Sequence, residues 1–183
     1  VPEVVIYPKN QQDVEKIVSL VSSSKKIQPD LSITARSAGT DMSGGAINDS
    51  IILDFTRYMN HQENIDEKTR TVKVEPGLYF HDFEPKLAAK KLIYPAYPAS
   101  KSIAALGGMI ANNSAGEKSL KFGKTNKFVR SLDVTLSDGQ TYHFEPLNQS
   151  KLDKKLAQTD FEGQIYQRMT KLINDNRQTI EDS

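Results

Sequence analysis

The chain is 183 residues long, carries a net charge of +1, and contains 37% hydrophobic and 26% charged residues but no cysteine. That length buries most of its apolar surface in one domain without help from metal or disulfides. The missing cysteines exclude a disulfide framework, a thiolate metal site and a cysteine nucleophile. The balanced charge, with no long basic run, argues against a nucleic-acid surface.

In chain order, residues 4–7 are a β-branched run stopped by Pro8, which predicts a strand. Asn10 caps a predicted helix whose apolar positions Val14, Ile17, Val18 and Val21 follow i, i+3, i+4, i+7 spacing, with Ser22-Ser23-Ser24 and Pro29 breaking it. Residues 31–35 and 51–55 read as two further strands, giving a strand–helix–strand–loop–strand opening suited to parallel pairing. Residues 71–75 alternate and end at Pro76-Gly77, which predicts a strand and turn. Phe80, Phe83 and Leu87 form a helical stripe over residues 79–89. Pro95 and Pro98 keep residues 94–100 out of regular structure. Ser102 reads as the N-cap of the next helix. Residues 129–136 and 141–144 flank Ser137-Asp138-Gly139-Gln140, a hairpin signal. Leu152 and Leu156, then Phe161, Ile165, Met169, Leu172 and Ile173, predict two closing helices. No apolar run approaches the ~20 residues that span a bilayer, and no signal-peptide pattern opens the chain.

Two stretches hold six of the ten glycines: Arg36-Ser37-Ala38-Gly39-Thr40-Asp41-Met42-Ser43-Gly44-Gly45-Ala46 and Gly107-Gly108-Met109-Ile110-Ala111-Asn112-Asn113-Ser114-Ala115-Gly116. Glycine permits positive φ and close backbone approach, and successive bare N–H groups form an anion-binding concavity. In the first stretch, the amides from Ser37 to Gly45 and the hydroxyls of Thr40 and Ser43 are candidate phosphate donors. In the second, Gly107 and Gly108 allow close approach to a ring or pyrophosphate, and Asn112 and Asn113 offer amide donors and acceptors. The blander readings are a tight turn for the first and close helix packing for the second. Arg36 serves either an anion or a structural carboxylate. The first loop runs into an extended segment instead of a helix, so the context of a Rossmann fingerprint is missing. His61, His81 and His143 are scattered without metal-ligand spacing and read as surface histidines. Tyr94 and Tyr97 flank the proline turn, where they line a pocket or pack in the core. No nucleophile elbow or triad is present.

An ordered set of motifs runs from residue 4 to residue 144: Val5-Ile6-Tyr7-Pro8, the Arg36 to Ala46 loop, Ile52-Leu53-Asp54, Val74-Glu75-Pro76-Gly77, Tyr94-Pro95-Ala96-Tyr97-Pro98-Ala99-Ser100, the Leu106 to Gly116 stretch, Phe122-Gly123 and Ser137-Asp138-Gly139. This set closely resembles the FAD-binding PCMH-type domain of the vanillyl-alcohol oxidase, or FAD-linked oxidase, family, and within it the glycolate oxidase subunit and D-lactate dehydrogenase branch. The resemblance implies an α+β fold of two FAD-binding subdomains, residues 1–60 and 61–183. The first is a small parallel-strand unit. The second has a mixed or antiparallel sheet with flanking helices, incomplete at its C-terminus.

By motif position the resemblance places Arg36, Ser37, Ala38, Gly39, Thr40, Asp41, Ser43, Gly44 and Gly45 around the FAD pyrophosphate. Pro98, Ser100, Gly107, Gly108, Ala111, Asn112, Asn113 and Gly116 fall towards the pyrophosphate, ribityl and isoalloxazine region, and Pro8 and Gly123 lie near the cofactor as well. Some members link the flavin to a histidine where this chain has Thr40, so a noncovalent flavin is implied. The family's further FAD-binding motif and its substrate domain do not occur before Ser183, so the chain reads as the N-terminal part of a larger flavoenzyme. Its catalytic residues are unassigned, and a C-terminal substrate domain or partner subunit is implied. The implied activity is oxidation of a small 2-hydroxy acid of the D-lactate or glycolate type by hydride transfer to FAD, in the cytoplasm or peripheral to the inner membrane. The alternatives are a flavin-binding module without its own catalysis, or another branch of the same family.

Overall fold

The computed structural model describes residues 1–182. β1 (Val4–Ile6), β2 (Ile33–Arg36) and β3 (Ile51–Asp54) form one parallel sheet in the order β1-β3-β2, with Ile6 and Ala35 both opposite Leu53. The chain passes from β1 to β2 through α1 (Gln11–Ser24). It passes from β2 to its neighbour β3 through residues 37–50, the first glycine stretch, without a helix. The Asn10 side chain accepts the Asp13 N–H at 3.0 Å and starts α1 as expected, and Val14 and Val21 are its buried positions. Ser22-Ser23-Ser24 do not break the helix. They form its last turn, and Lys25 N–H still reaches the Val21 carbonyl at 3.1 Å.

The main core belongs to the middle of the chain. α2 (Phe80–Ala89) and α3 (Leu106–Ala111) bury Phe80, Phe83, Leu87, Leu106 and Met109 with Ile65, Leu78, Tyr97 and Ala104. Phe80 lies at the centre, with the Phe83, Tyr94 and Tyr97 rings 5.5–6.5 Å away, centroid to centroid. For the two tyrosines beside the proline turn, core packing is therefore the reading that holds.

Two expectations change here. The alternating run at 71–75 does not pair as a strand. It makes two isolated antiparallel bridges, Val74 to Gln62 and Thr71 to Asp66, across a tight turn where Arg70 takes φ 55°. Ser102 does not cap α3, which starts after Ala105. The first amides of that helix are taken by distant carbonyls instead: Leu106 N–H donates to Leu78 O and Gly107 N–H to Pro76 O, each at 2.9 Å.

After α3 come a single turn, α4 (Ser119–Phe122), and a 3-10 turn, Thr125–Phe128. β4 (Leu132–Thr135) and β5 (Thr141–Phe144) then form the antiparallel hairpin, with Gly139 at φ 81° in its turn. The Tyr142 hydroxyl donates to Asp138 Oδ2, and that bond holds its pKa up at about 12. The turn rests on α1, where a Cβ at Gly139 would collide with the Ser19 hydroxyl. The closing helices are α5 (Gln149–Leu156), α6 (Phe161–Asp175) and α7 (Arg177–Glu181). Phe161 and Tyr166 of α6 set their rings against Tyr142 and Phe144 of the hairpin.

Candidate functional site

The carboxyl ends of the three parallel strands share one edge of the sheet, where open α/β sheets bind ligands. Pro8 follows β1 there and is fully buried. Ser37 follows β2, with β3 between them. Arg57 is stacked beside Tyr7 and Tyr58, 5.3 Å from each ring centre.

The first loop is tied at both ends. Arg36 donates to the Ala46 carbonyl at 3.1 Å, and its guanidinium lies where a side chain on Gly39 would have to be. Gly39 takes φ 68° and Gly44 φ 85°, conformations that L side chains rarely adopt. In this structure Arg36 is bonded to a backbone carbonyl and not to a carboxylate. At the tip, the Asp41 carboxylate accepts the Ser43 N–H at 3.1 Å, the Ser43 hydroxyl at 2.7 Å and the Gly45 N–H at 2.8 Å. These bonds, the Ser43 hydroxyl first, hold the Asp41 pKa below the ordinary carboxylate value. The expected run of phosphate donors is therefore shorter than the whole loop. Among the described residues, the amides from Ser37 to Met42, and that of Gly44, meet no protein acceptor, whereas those of Ser43 and Gly45 are already used.

The second stretch meets the first through Pro76. Its carbonyl accepts both the Ser37 hydroxyl and the Gly107 amide. A Cβ on Gly107 would lie 2.7 Å from the Pro76 oxygen, while one on Gly108 would lie 3.6 Å from the Ser37 Cβ. Gly108 is exposed and Gly107 half-buried. Ala111 and Asn112 are exposed at the end of α3. Asn113 takes φ 46°, and its side-chain oxygen accepts the Asn126 N–H at 2.9 Å, a structural use.

A third cluster joins the proline turn to the end of this stretch. Gly116 lies against the Tyr97 carbonyl with Pro98 beside it, too close for any side chain. Pro98 and Ser100 are half-buried, and their carbonyls accept the amides of Lys101, Ile103 and Ala104. Gly123 ends α4 at φ 89° under the Lys127 stem. Thr125, fully buried, donates to the Ser114 and Ala96 carbonyls at 2.9 and 3.2 Å. Sequence reading missed this residue, because its partners are known only once the chain is folded. It also missed a spaced basic segment. Lys118, Lys121, Lys124, Lys127 and Arg130 recur every third position with no acidic residue between Glu117 and Asp133. None of the five has an ion-pair partner among the described residues.

The histidines stay on the surface: His61 beside Glu75, His81 on the Ser102 carbonyl and His143 on Asp133. Among the described residues no His, Asp or Glu cluster could hold a metal. Among the described residues, no helix is long and apolar enough to cross a membrane.

A family model described as an FAD binding domain matches residues 2–145. The glycolate oxidase subunit GlcD of Bacillus subtilis is 34% identical over 140 residues, covering 75% of this chain and 28% of that protein. The D-2-hydroxyglutarate dehydrogenase of Pantoea ananatis is 31% identical over 180 residues, covering 98% of this chain and 17% of that protein. The solved structure of 6-hydroxy-D-nicotine oxidase from Arthrobacter nicotinovorans superposes with a TM-score of 0.69 at 21% identity, over 82% of this chain and 32% of that one. This chain belongs to the FAD-binding domain family of PCMH-type FAD-linked oxidases. It spans 28% or less of the length of these two curated relatives.

The residues present fit that cofactor. Successive amides without acceptors from Ser37 to Met42, one of them on a left-handed glycine, suit an anionic bridge. The bare face of Gly108 beside Ser37 leaves room for a group that a side chain would displace.

Proposed function

We propose that this chain is the FAD-holding part of a flavin-dependent oxidoreductase that oxidises a small 2-hydroxy acid. The observation that carries it is the run of free amides from Ser37 to Met42 beside the junction of the two glycine stretches. These amides and the Thr40 hydroxyl hold the pyrophosphate, within the loop that Arg36, Asp41, Ser43, Gly44 and Gly45 shape. Gly108 admits the cofactor close to the backbone, and Gly107, seated against Pro76, holds that turn of α3 beside it. Pro8, Pro98, Ser100, Ala111, Asn112, Asn113, Gly116 and Gly123 border it, and the two subdomains divide near residue 60. With threonine at position 40, the flavin is held noncovalently. When bound, it supplies the redox chemistry, taking up the electrons released as the hydroxyl carbon becomes a carbonyl. The groups that bind substrate and move its proton come from the rest of the parent polypeptide or a partner subunit. A cytoplasmic site of action, or one peripheral to the inner membrane, is part of the same reading. Titrating FAD into the purified chain tests its cofactor-holding role: flavin fluorescence and melting temperature should both change, and a change in neither overturns FAD binding by this chain on its own.

Among 2-hydroxy acids, one observation favours a dicarboxylate. The D-2-hydroxyglutarate dehydrogenase relative matches 98% of the chain, through the closing helices, whereas the glycolate oxidase relative covers 75%. Turnover of D-2-hydroxyglutarate by the parent enzyme, faster than of D-lactate or glycolate with one artificial acceptor, is the expected result.

A further inference from the structure

The first loop is divided in its use of backbone donors. Its proximal amides, Ser37 to Met42, have no protein acceptor. In its distal half the Ser43 and Gly45 amides are bonded to Asp41, whose Oδ2 also accepts the Ser43 hydroxyl, while the Gly44 amide between them is free. The fit is close: a Cβ on Gly45 would lie 2.7 Å from Asp41 Oδ2, so only glycine admits the carboxylate there. The tip itself is open, with Met42 fully exposed and no apolar anchor to hold it. The Ile47 amide bonded to the Gly44 carbonyl and the Arg36 bond to Ala46 fasten the return of the loop. A long glycine loop that must hold an anion loses affinity to the entropy of its own ordering. A carboxylate that gathers the distal half removes part of that loss before any ligand arrives.

We propose that Asp41 is a positioning residue: it folds the distal half of the loop onto itself through Ser43 and Gly45 and thereby presets the proximal amides for the pyrophosphate of FAD. The inference rests on the cofactor reading above and adds a role that the glycines alone do not supply. It also sets which ligand moiety feels the residue. Asp41 acts on the diphosphate and leaves recognition of the ring system untouched.

The test compares the 183-residue chain with its Asp41→Ala and Asp41→Asn variants, using FAD, ADP and riboflavin as probes. Asp41→Ala should weaken FAD and ADP together by about tenfold, through lost preorganisation, and leave riboflavin, which has no phosphate, unchanged. Asp41→Asn keeps one oxygen acceptor, for the Ser43 amide, but puts an NH2 where Oδ2 accepts the Gly45 amide, and should recover only part of the loss. The melting temperature should barely move, since Asp41 is exposed. Amide exchange measured by NMR without ligand should show Ser43 and Gly45 protected in the parent chain and unprotected in Asp41→Ala. Equal or tighter ADP binding by Asp41→Ala would overturn the inference, because the carboxylate would then be idle or a competitor for the donors. Unprotected Ser43 and Gly45 amides in the parent chain would overturn it too. Protected amides in a chain that binds neither FAD nor ADP would instead sink the cofactor reading, and the positioning role with it.

Discussion

Ser37 and Gly107 donate to the same oxygen: the Pro76 carbonyl takes the Ser37 hydroxyl at 2.7 Å and the Gly107 amide at 2.9 Å. One acceptor therefore fastens the first glycine loop and the start of α3 to a single turn. Pro76-Gly77 is itself held down, because the Gly77 amide reaches the Met59 carbonyl at 2.8 Å and its α-carbon lies against the Phe55 carbonyl.

The two adjacent glycines of α3 should respond differently to a methyl group. Gly107→Ala drives a Cβ to 2.7 Å from the Pro76 oxygen, and such overpacking costs about 1–3 kcal/mol. Gly108→Ala meets only the Ser37 Cβ at 3.6 Å, and in a helix it is neutral or gains up to ~1 kcal/mol. Urea unfolding of both variants checks the contrast. On the proposed reading, Gly108→Ala still lowers FAD affinity despite its intact stability.

Thr125 should tolerate serine and reject valine. Its hydroxyl is buried and serves the Ser114 and Ala96 carbonyls. Replacing it with a methyl leaves the Ala96 carbonyl unpaired, a loss of about 1–3 kcal/mol. Thr125→Ser keeps the donor and should stay much nearer the parent in a thermal melt.

Met109→Ala should be the costliest of the single changes considered. Met109 is 2% exposed and joins α3 to the Phe80 cluster. Truncating such a residue removes about 2–5 kcal/mol. Differential scanning calorimetry should find a lower melting temperature, and flavin retention should fall with it.

Acid should loosen the hairpin through Asp133. His143, first, and Lys73 hold the Asp133 carboxyl below its ordinary value, with contacts of 2.6 and 3.2 Å. A depressed carboxyl stabilises the fold above its unfolded pKa, about 4, and that contribution disappears as pH falls through the lower folded value. Stability measured from pH 6 downward should therefore decline faster below about pH 4 in the parent chain than in Asp133→Asn. Identical pH profiles would show the pair to be without consequence.

Local rules were legible in the sequence wherever the partner was local. Asn10 with its apolar spacing gave α1, and Asp138-Gly139 gave the hairpin turn. The motif order gave the family. What escaped was decided across the chain. Ser102 looked like a cap, but the α3 amides find the Leu78 and Pro76 carbonyls. Residues 71–75 alternate as a strand should, yet the segment opposite pairs with them only at two bridges. The donors of the first loop looked uniform because nothing in a residue list says that Asp41 takes those of Ser43 and Gly45. The lysines from 118 to 127 escaped because they are spaced rather than consecutive.

The glycine loop between β2 and β3 is also the only tether between two hydrogen-bonded neighbours of the sheet, since no helix lies in residues 37–50. In most folds a ligand loop hangs off finished scaffolding and drifts in length without harm. Here an insertion or deletion would disturb strand alignment and ligand geometry in one stroke. Variation in this protein should therefore be written in side chains at fixed length, with position 41 among the places where it matters most.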